Sequence, residues 1–150
     1  MKDIKLNWVA ILVAAIVSFL FEALWYSVFM NEWLTGIGRT REWLTSATGV
    51  TPALQYAVAI LCSIVTAAVL SIIIQASGEY SARRGILCAV LIWVGFLATS
   101  WAKEYIFEVR SLQIYAVNTG YLLIDLILIG IIVGAWKKKP DPHARTLSED

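Results

Sequence analysis

Two acidic residues fall where a charge is costly. Glu22 and Asp125 lie well inside long apolar stretches of this 150-residue chain. A charged carboxylate at the middle of a membrane costs about 2.5–3.5 kcal/mol on insertion scales. A pair of carboxylates could share a proton or hold a cation, as a proton- or cation-coupled transporter or channel would need. Asn118 and Tyr121 share the helix face of Asp125, since steps of three, four and seven residues return to one side. Two structural readings stand beside this one. Each acid could be hydrogen-bonded to Ser18, Tyr121 or Asn118 and fix helix register, or pair with Lys103 or Arg110 reaching inward. No Lys or Arg lies at mid-depth to neutralise either acid.

Other chemistry is scarce. Lys103, Glu104, Glu108 and Arg110 alternate with Trp101, Tyr105 and Phe107. They would form an interfacial aromatic belt with solvated charges, whose exposed ion pairs add little stability, or a charged external mouth that receives a polar ligand. A membrane enzyme would need a nucleophile–base set or metal ligands at the interface, and only Glu104, Glu108 and Tyr105 are placed for that. Cys62 and Cys88 sit in apolar runs roughly 10 Å apart in depth, which reads as two buried thiols without a disulfide. The single histidine, His143, lies in a polar tail. The expectation is no catalytic residues, no metal and no cofactor. A formal net charge of +1 gives no basic excess for nucleic acid.

The elements that must position these residues are membrane spans. Hydrophobic residues make up 59% and charged residues 15% of the chain, against about 25% charged in soluble domains. Four apolar stretches, at about 8–30, 52–75, 85–101 and 115–136, reach the roughly 17–25 residues that span a bilayer. The first is too long for the core of a signal peptide, which runs to about 7–15 residues, and reads as a retained helix. The fold class is therefore an all-α integral membrane protein with four transmembrane helices in a domain at 1–139, followed by a disordered tail at 140–150. A matched pair of segments, Tyr56-Ala57-Val58 with Tyr115-Ala116-Val117 and Ser71-Ile72-Ile73-Ile74 with Gly130-Ile131-Ile132-Val133, would make it two parallel-repeated helical hairpins.

Counting 1.5 Å of rise per residue from the ends nearest the termini, Glu22 lies ~21 Å deep and Asp125 ~16 Å deep. Side chains and helix tilt can close that gap. Small residues four apart, Ala10, Ala14 and Ser18 on the first span and Ala59, Ser63, Ala67 and Ser71 on the second, predict packing seams where backbones approach closely. Gly130 and Gly134 form a GxxxG on a different face from Asp125. That face is expected to meet a second subunit, making a homo-oligomer. The segment at 31–51, with Trp33, Leu34, Ile37, Trp43 and Leu44 among charges, suits an external interfacial loop or a binding lid.

Lys2, Lys5, Arg83, Arg84, Lys137, Lys138, Lys139 and Arg145 outnumber Arg39, Arg41, Lys103 and Arg110 on the other side. Positive residues collect on the cytoplasmic side, so both termini are expected in the cytoplasm of a cell whose inner or plasma membrane holds the protein.

Several strings are familiar together. Asn7-Trp8-Val9-Ala10-Ile11-Leu12-Val13-Ala14-Ala15 leads into Leu24-Trp25-Tyr26-Ser27, then Phe29 and Trp33. Phe107-Glu108-Val109-Arg110-Ser111-Leu112 is followed by Asn118-x-Gly120-Tyr121, then Gly130, Gly134 and Trp136. Over about 7–136 the chain resembles the small prokaryotic membrane proteins grouped as domain-of-unknown-function family 1761. The resemblance implies a four-helix bacterial membrane protein with no assigned activity, and it carries over no functional residues. Glu22 stands where that family has a small residue, often Gly, and Val28 where Pro is expected. A Glu22 particular to this chain cannot carry a family-wide chemistry, which would leave Asp125 as a single buried acid.

The leading expectation is a non-catalytic membrane subunit or assembly protein, with the lipid bilayer, copies of itself and an unidentified membrane protein as partners. The alternative is a small proton- or cation-coupled transporter or channel using the buried carboxylates.

Overall fold

A computed structural model describes residues 4–46 and 51–136. The polar tail with His143, the basic run Lys137, Lys138 and Lys139, Arg145, and Lys2 lie outside the described residues. Helices and short links make up everything described. The helices are α1 (Trp8–Val28), α2 (Met30–Gly36), α3 (Arg41–Ser46), α4 (Pro52–Ala76), α5 (Ala82–Ile92), α6 (Thr99–Phe107) and α7 (Leu112–Ala135). A wider π-helical turn, Trp93–Ala98, joins α5 to α6, so Ala82–Phe107 runs as one rod. Four helices, α1, α4, this rod and α7, are long and apolar enough to cross a membrane.

Each of the four begins at a side-chain cap. Oxygens of Asn7, Thr51, Ser81 and Ser111 accept from the backbone N–H groups of Ala10, Leu54, Arg84 and Ile114, and Pro52 follows Thr51 at the first helical position. Two of these caps move a span's start outward from that expected, and the starts at Trp8 and Pro52 fall as expected. The third span starts at Ala82 rather than 85 because Ser81 caps it. It ends at Phe107 rather than 101 because Lys103 and Glu104 are exposed while Tyr105 turns inward. The fourth starts at Leu112 rather than 115, and the first ends at Val28, with Phe29 as a joint before α2.

The four spans run up, down, up and down. Helix α7 touches all the others, α1 and α5 flank it, and α4 sits across from it between those two. The ends that carry the termini are tied together. Asn7 Nδ2 donates to the Trp136 carbonyl at 3.1 Å, and the Lys5 N–H donates to Gln75 Oε1 at 3.1 Å. Leu12, Ile16, Leu20, Leu24 and Val28 form an exposed row on α1, the face a bilayer would cover.

The opposite face of α1 carries Ala10, Ala14 and Ser18, all buried, against Ser63, Ala67 and Ser71 of α4. Ser18 Oγ and Ser63 Oγ stand 3.1 Å apart where the two rows meet. Ala59, the last of the α4 row, is only half-buried because the first half of α4 is largely exposed. Cys62 lies on that exposed half and Cys88 in the core, and both thiols are free; the reading of two buried thiols fails for Cys62.

The GxxxG corrects a second expectation. A Cβ on Gly130 would come within 2.6 Å of the Gly85 carbonyl oxygen, and one on Gly134 within 2.5 Å of the Ser81 carbonyl oxygen. The seam assigned to a second subunit closes α7 onto α5 of the same chain. Gly85 supplies the other side of that contact.

The segment at 31–51 is more structured than a loop. It contains α2 and α3, and α2 docks on the start of α7, burying Leu34 and setting Gly36 against Ile114. Helices α2 and α6 end in the same way. Arg39 N–H reaches the Leu34 carbonyl and Gly38 N–H that of Thr35; Arg110 N–H reaches the Tyr105 carbonyl and Val109 N–H that of Ile106. This motif needs a left-handed residue. Gly38 adopts it freely (φ +67°), whereas Val109 is held there at φ +54°, a strain of roughly 1–3 kcal/mol.

Candidate functional site: a carboxylate-lined cleft between α1, α4 and α7

The site is assembled from helical spacing. On α1, Ser18, Glu22 and Tyr26 follow one another at single-turn intervals; on α7, Asn118, Tyr121 and Asp125 do the same. Their helices pack together, and Glu22 and Asp125 face the same space. Each lines a cleft of about 600 Å³ whose other wall is α4: Leu54, Gln55, Val58, Ala59, Cys62, Ser63 and Thr66. The cleft exists because above Ser63 the Tyr56 ring reaches Phe19 of α1 edge-on at 5.8 Å, while the buried residues of α4 all lie from Ser63 toward the termini. There Ile11, Ala14, Ala67, Leu70, Ile74, Leu126, Ile129 and Val133 form a dry core, so the cleft is closed on that side.

Asp125 is 7% exposed, and its Oδ1 is fully buried without a hydrogen-bond partner among the described residues. Burying a carboxylate oxygen unpartnered is a large penalty unless something compensates it. Ser63 Oγ donates to the Ala59 carbonyl at 3.0 Å and stands 3.1 Å from Ser18 Oγ, a contact in which either hydroxyl can be the donor. The Ser18 hydroxyl faces Asp125 and is placed to donate to its carboxyl, but Oδ1 itself keeps no partner among the described residues. A proton or a positive charge is what would compensate it.

Glu22 is half-buried beside Asp125 and Tyr121. No ion pair involves either acid among the described residues. Arg110 pairs instead with Glu108 and lies over the Tyr105 ring at 5.2 Å from its centroid, while Lys103 and Glu104 are exposed. The inward ion pair considered from sequence is therefore not formed. The four residues read as a charged mouth stay at the far end of α6, apart from the cleft lining. Among the described residues no three His, Cys, Asp or Glu side chains gather where they could hold a metal ion.

Asn118 is brought close but put to other use. Its Oδ1 accepts from the Tyr26 hydroxyl at 3.0 Å, and its Nδ2 donates to the Tyr105 hydroxyl at 2.8 Å. It thereby ties α1 and α6 to α7. Tyr121 leaves the tie and lines the cleft, its ring stacked on Phe21 at 5.9 Å and tilted against Tyr26 at 5.4 Å. Two indoles brace the same region: Trp25 Nε1 donates to the Val117 carbonyl at 3.1 Å and Trp93 Nε1 to that of Thr119 at 2.7 Å.

Tyr26, Tyr105, Trp25 and Trp93 were not singled out from sequence as supports of the site. Tyr26 sits one turn beyond Glu22, a spacing that pointed to it. Tyr105 looked like an interfacial aromatic beside Glu104, and nothing local marks it as the one that turns inward. Gln55 and Thr66 were missed because they join the site only through the splay of α4.

The fold and the cleft define a class: an all-α, multi-pass integral membrane protein with one buried acid, Asp125, and one half-buried acid, Glu22, within its spans. The chain belongs to the family described as protein of unknown function DUF1761, which matches residues 9–134. No curated protein and no solved structure matches the chain.

Proposed function

We propose that this protein binds a proton or a cation at Asp125 and Glu22 and moves it across the membrane as a small coupled carrier. One observation carries the reading: the buried, unpartnered Asp125 Oδ1 in a cleft that Glu22 also lines. Ionisable residues facing the interior of a membrane bundle characteristically mark substrate, ion or proton paths. The dry core toward the termini supports a carrier over an open channel, because it closes the cleft on that side. Carriers of this type expose a mid-membrane site to one side at a time.

The termini are assigned to the cytoplasm of a cell membrane, on the Lys and Arg distribution. The role as an assembly subunit loses ground because its GxxxG is used within the chain. A Glu22 special to this protein would make Asp125 the principal site and Glu22 a modifier of it.

The test is proton and monovalent-cation flux in proteoliposomes, comparing wild type with Asp125→Asn and Glu22→Gln, each checked for monodispersity. Loss of flux in folded Asp125→Asn is the expected result. Absence of flux in the wild type, for several ions and both gradient directions, would return the protein to the assembly role.

A further inference from the structure

The cleft is too large and too apolar for a bare ion alone. A water-sized occupant takes ~30 Å³, while the cleft holds about 600 Å³, within the roughly 300–1,000 Å³ range of small-molecule pockets. Its acids lie at one end, on α1 and α7. Facing them along α4 are Leu54, Val58, Ala59 and Cys62, with Leu122 of α7 opposite. The neutral polar group Gln55 lies between these apolar residues, and Ser63 and Thr66 follow them at the end of the wall nearer the termini. The first half of α4 is exposed on its remaining faces, Tyr56, Ile60 and Leu61 among them, so this wall stands in the bilayer and not in water.

We propose that the cleft takes an amphipathic organic cation, an alkylammonium-type molecule with its charged head against Asp125 and Glu22 and its hydrocarbon part along α4. This rests on the reading that the carboxylates bind positive charge, and adds the class of molecule that carries it. An ammonium head in the cleft supplies the positive charge that neither Asp125 nor Glu22 finds in an ion pair among the described residues. Among the described residues no third carboxylate, histidine or cysteine gathers with these two acids closely enough to hold a metal ion; they are a poor cage for a divalent metal but a sufficient counterion for an organic cation. Tyr121 offers its ring beside the acids, and cations bind aromatic faces favourably. The apolar wall adds affinity in proportion to the surface it covers. Since the dry core blocks the terminal side, such a molecule reaches the cleft from the α2 side or by way of the lipid.

The experiment is calorimetric titration of the full chain in nanodiscs with hexyltrimethylammonium, and in parallel with hexanol and with sodium chloride. Saturable binding of hexyltrimethylammonium, but not of hexanol, is expected. Asp125→Asn should weaken it by roughly thirtyfold or more. Val58→Trp, which fills the apolar wall and leaves both acids in place, should weaken it roughly tenfold, and tests the proposal if Asp125→Asn does not fold. Binding unchanged by Val58→Trp, or equal for hexanol, overturns the inference. Proton or sodium flux that needs Asp125, with no binding of the organic cation, also overturns it and leaves the carboxylate reading standing. If neither flux nor binding occurs, both fall.

Discussion

The two halves of this bundle solve the same problem by opposite means. Toward the termini, helices meet backbone to backbone: Gly85 on Gly130, Ser81 on Gly134, and the alanine and serine rows of α1 and α4. Toward α2 they are held apart by rings and joined by long polar reaches, from Tyr26 through Asn118 to Tyr105, and from Trp25 and Trp93 to carbonyls of α7. Lipid gives apolar helices no hydrophobic reward for associating, so close packing and hydrogen bonds must do that work. Small residues give contact without space. Aromatic residues with polar tips give connection and leave space beside it, and the acids lie where that second style begins.

This contrast can be broken most forcefully in the close-packed half. Gly130→Val would drive a side chain into the Gly85 carbonyl, and neither backbone can retreat without opening the seam between α5 and α7. Destabilisation of roughly 3 kcal/mol is expected, read as a fall in the thermal unfolding midpoint and loss of the monodisperse peak. A midpoint close to wild type would mean that the seam is looser than described.

A smaller effect is expected in the braced half. Asn118→Leu removes two hydrogen bonds between helices and leaves the Tyr26 and Tyr105 hydroxyls without their shared partner. The cost should be about 1–2 kcal/mol. The change should also loosen α6 more than α5, measured as faster amide exchange around Tyr105 than around Cys88. Uniform exchange along the third span would show that the two halves are not independent.

The smallest effect lies outside the spans, in the turn before α5. A hydrogen bond from the Ser81 hydroxyl to Glu79 Oε1 at 2.8 Å, helped by Arg84 at 3.1 Å, holds the Glu79 carboxyl below its ordinary pKa. A depressed folded-state pKa gives stability that is present above the unfolded value, near 4.5, and fades as pH falls through the folded one. Glu79→Gln should therefore lower the unfolding midpoint slightly at pH 7 and converge with wild type in acid. A gap that widens in acid would reverse the assignment.

The spans were legible because about 20 apolar residues in a row have few other uses, and the small-residue rows because steps of four fix a helix face. Depth put Glu22 and Asp125 within reach of each other but left open whether they meet; that both line one cleft comes from the packing of α1 on α7. The partner of the GxxxG was not legible. Gly85 carries no mark that sets it apart from other glycines, and a glycine seam serves a neighbour in the same chain as well as one in another. The cleft was hidden for a different reason. It arises from the divergence of α4 above Ser63, and relative helix tilt is set by packing between residues distant in sequence. The extension of the third span past Lys103 was missed because charge was taken as the end of the helix. Only the buried Tyr105 shows that the helix continues.

The central position of α7 has a consequence for how the protein is made. A ribosome delivers the spans in order, and the helix that contacts every other is the last to arrive. Before it emerges, α1 and α4 can pair through their serines and alanines, but Gly85 has no glycine to meet and Glu22 no Asp125 beside it. The cleft is completed, and its two acids are brought together, only when this fourth span is inserted. A chain stopped before α7 would carry three spans and no site, so assembly itself keeps the acids from acting in an unfinished protein.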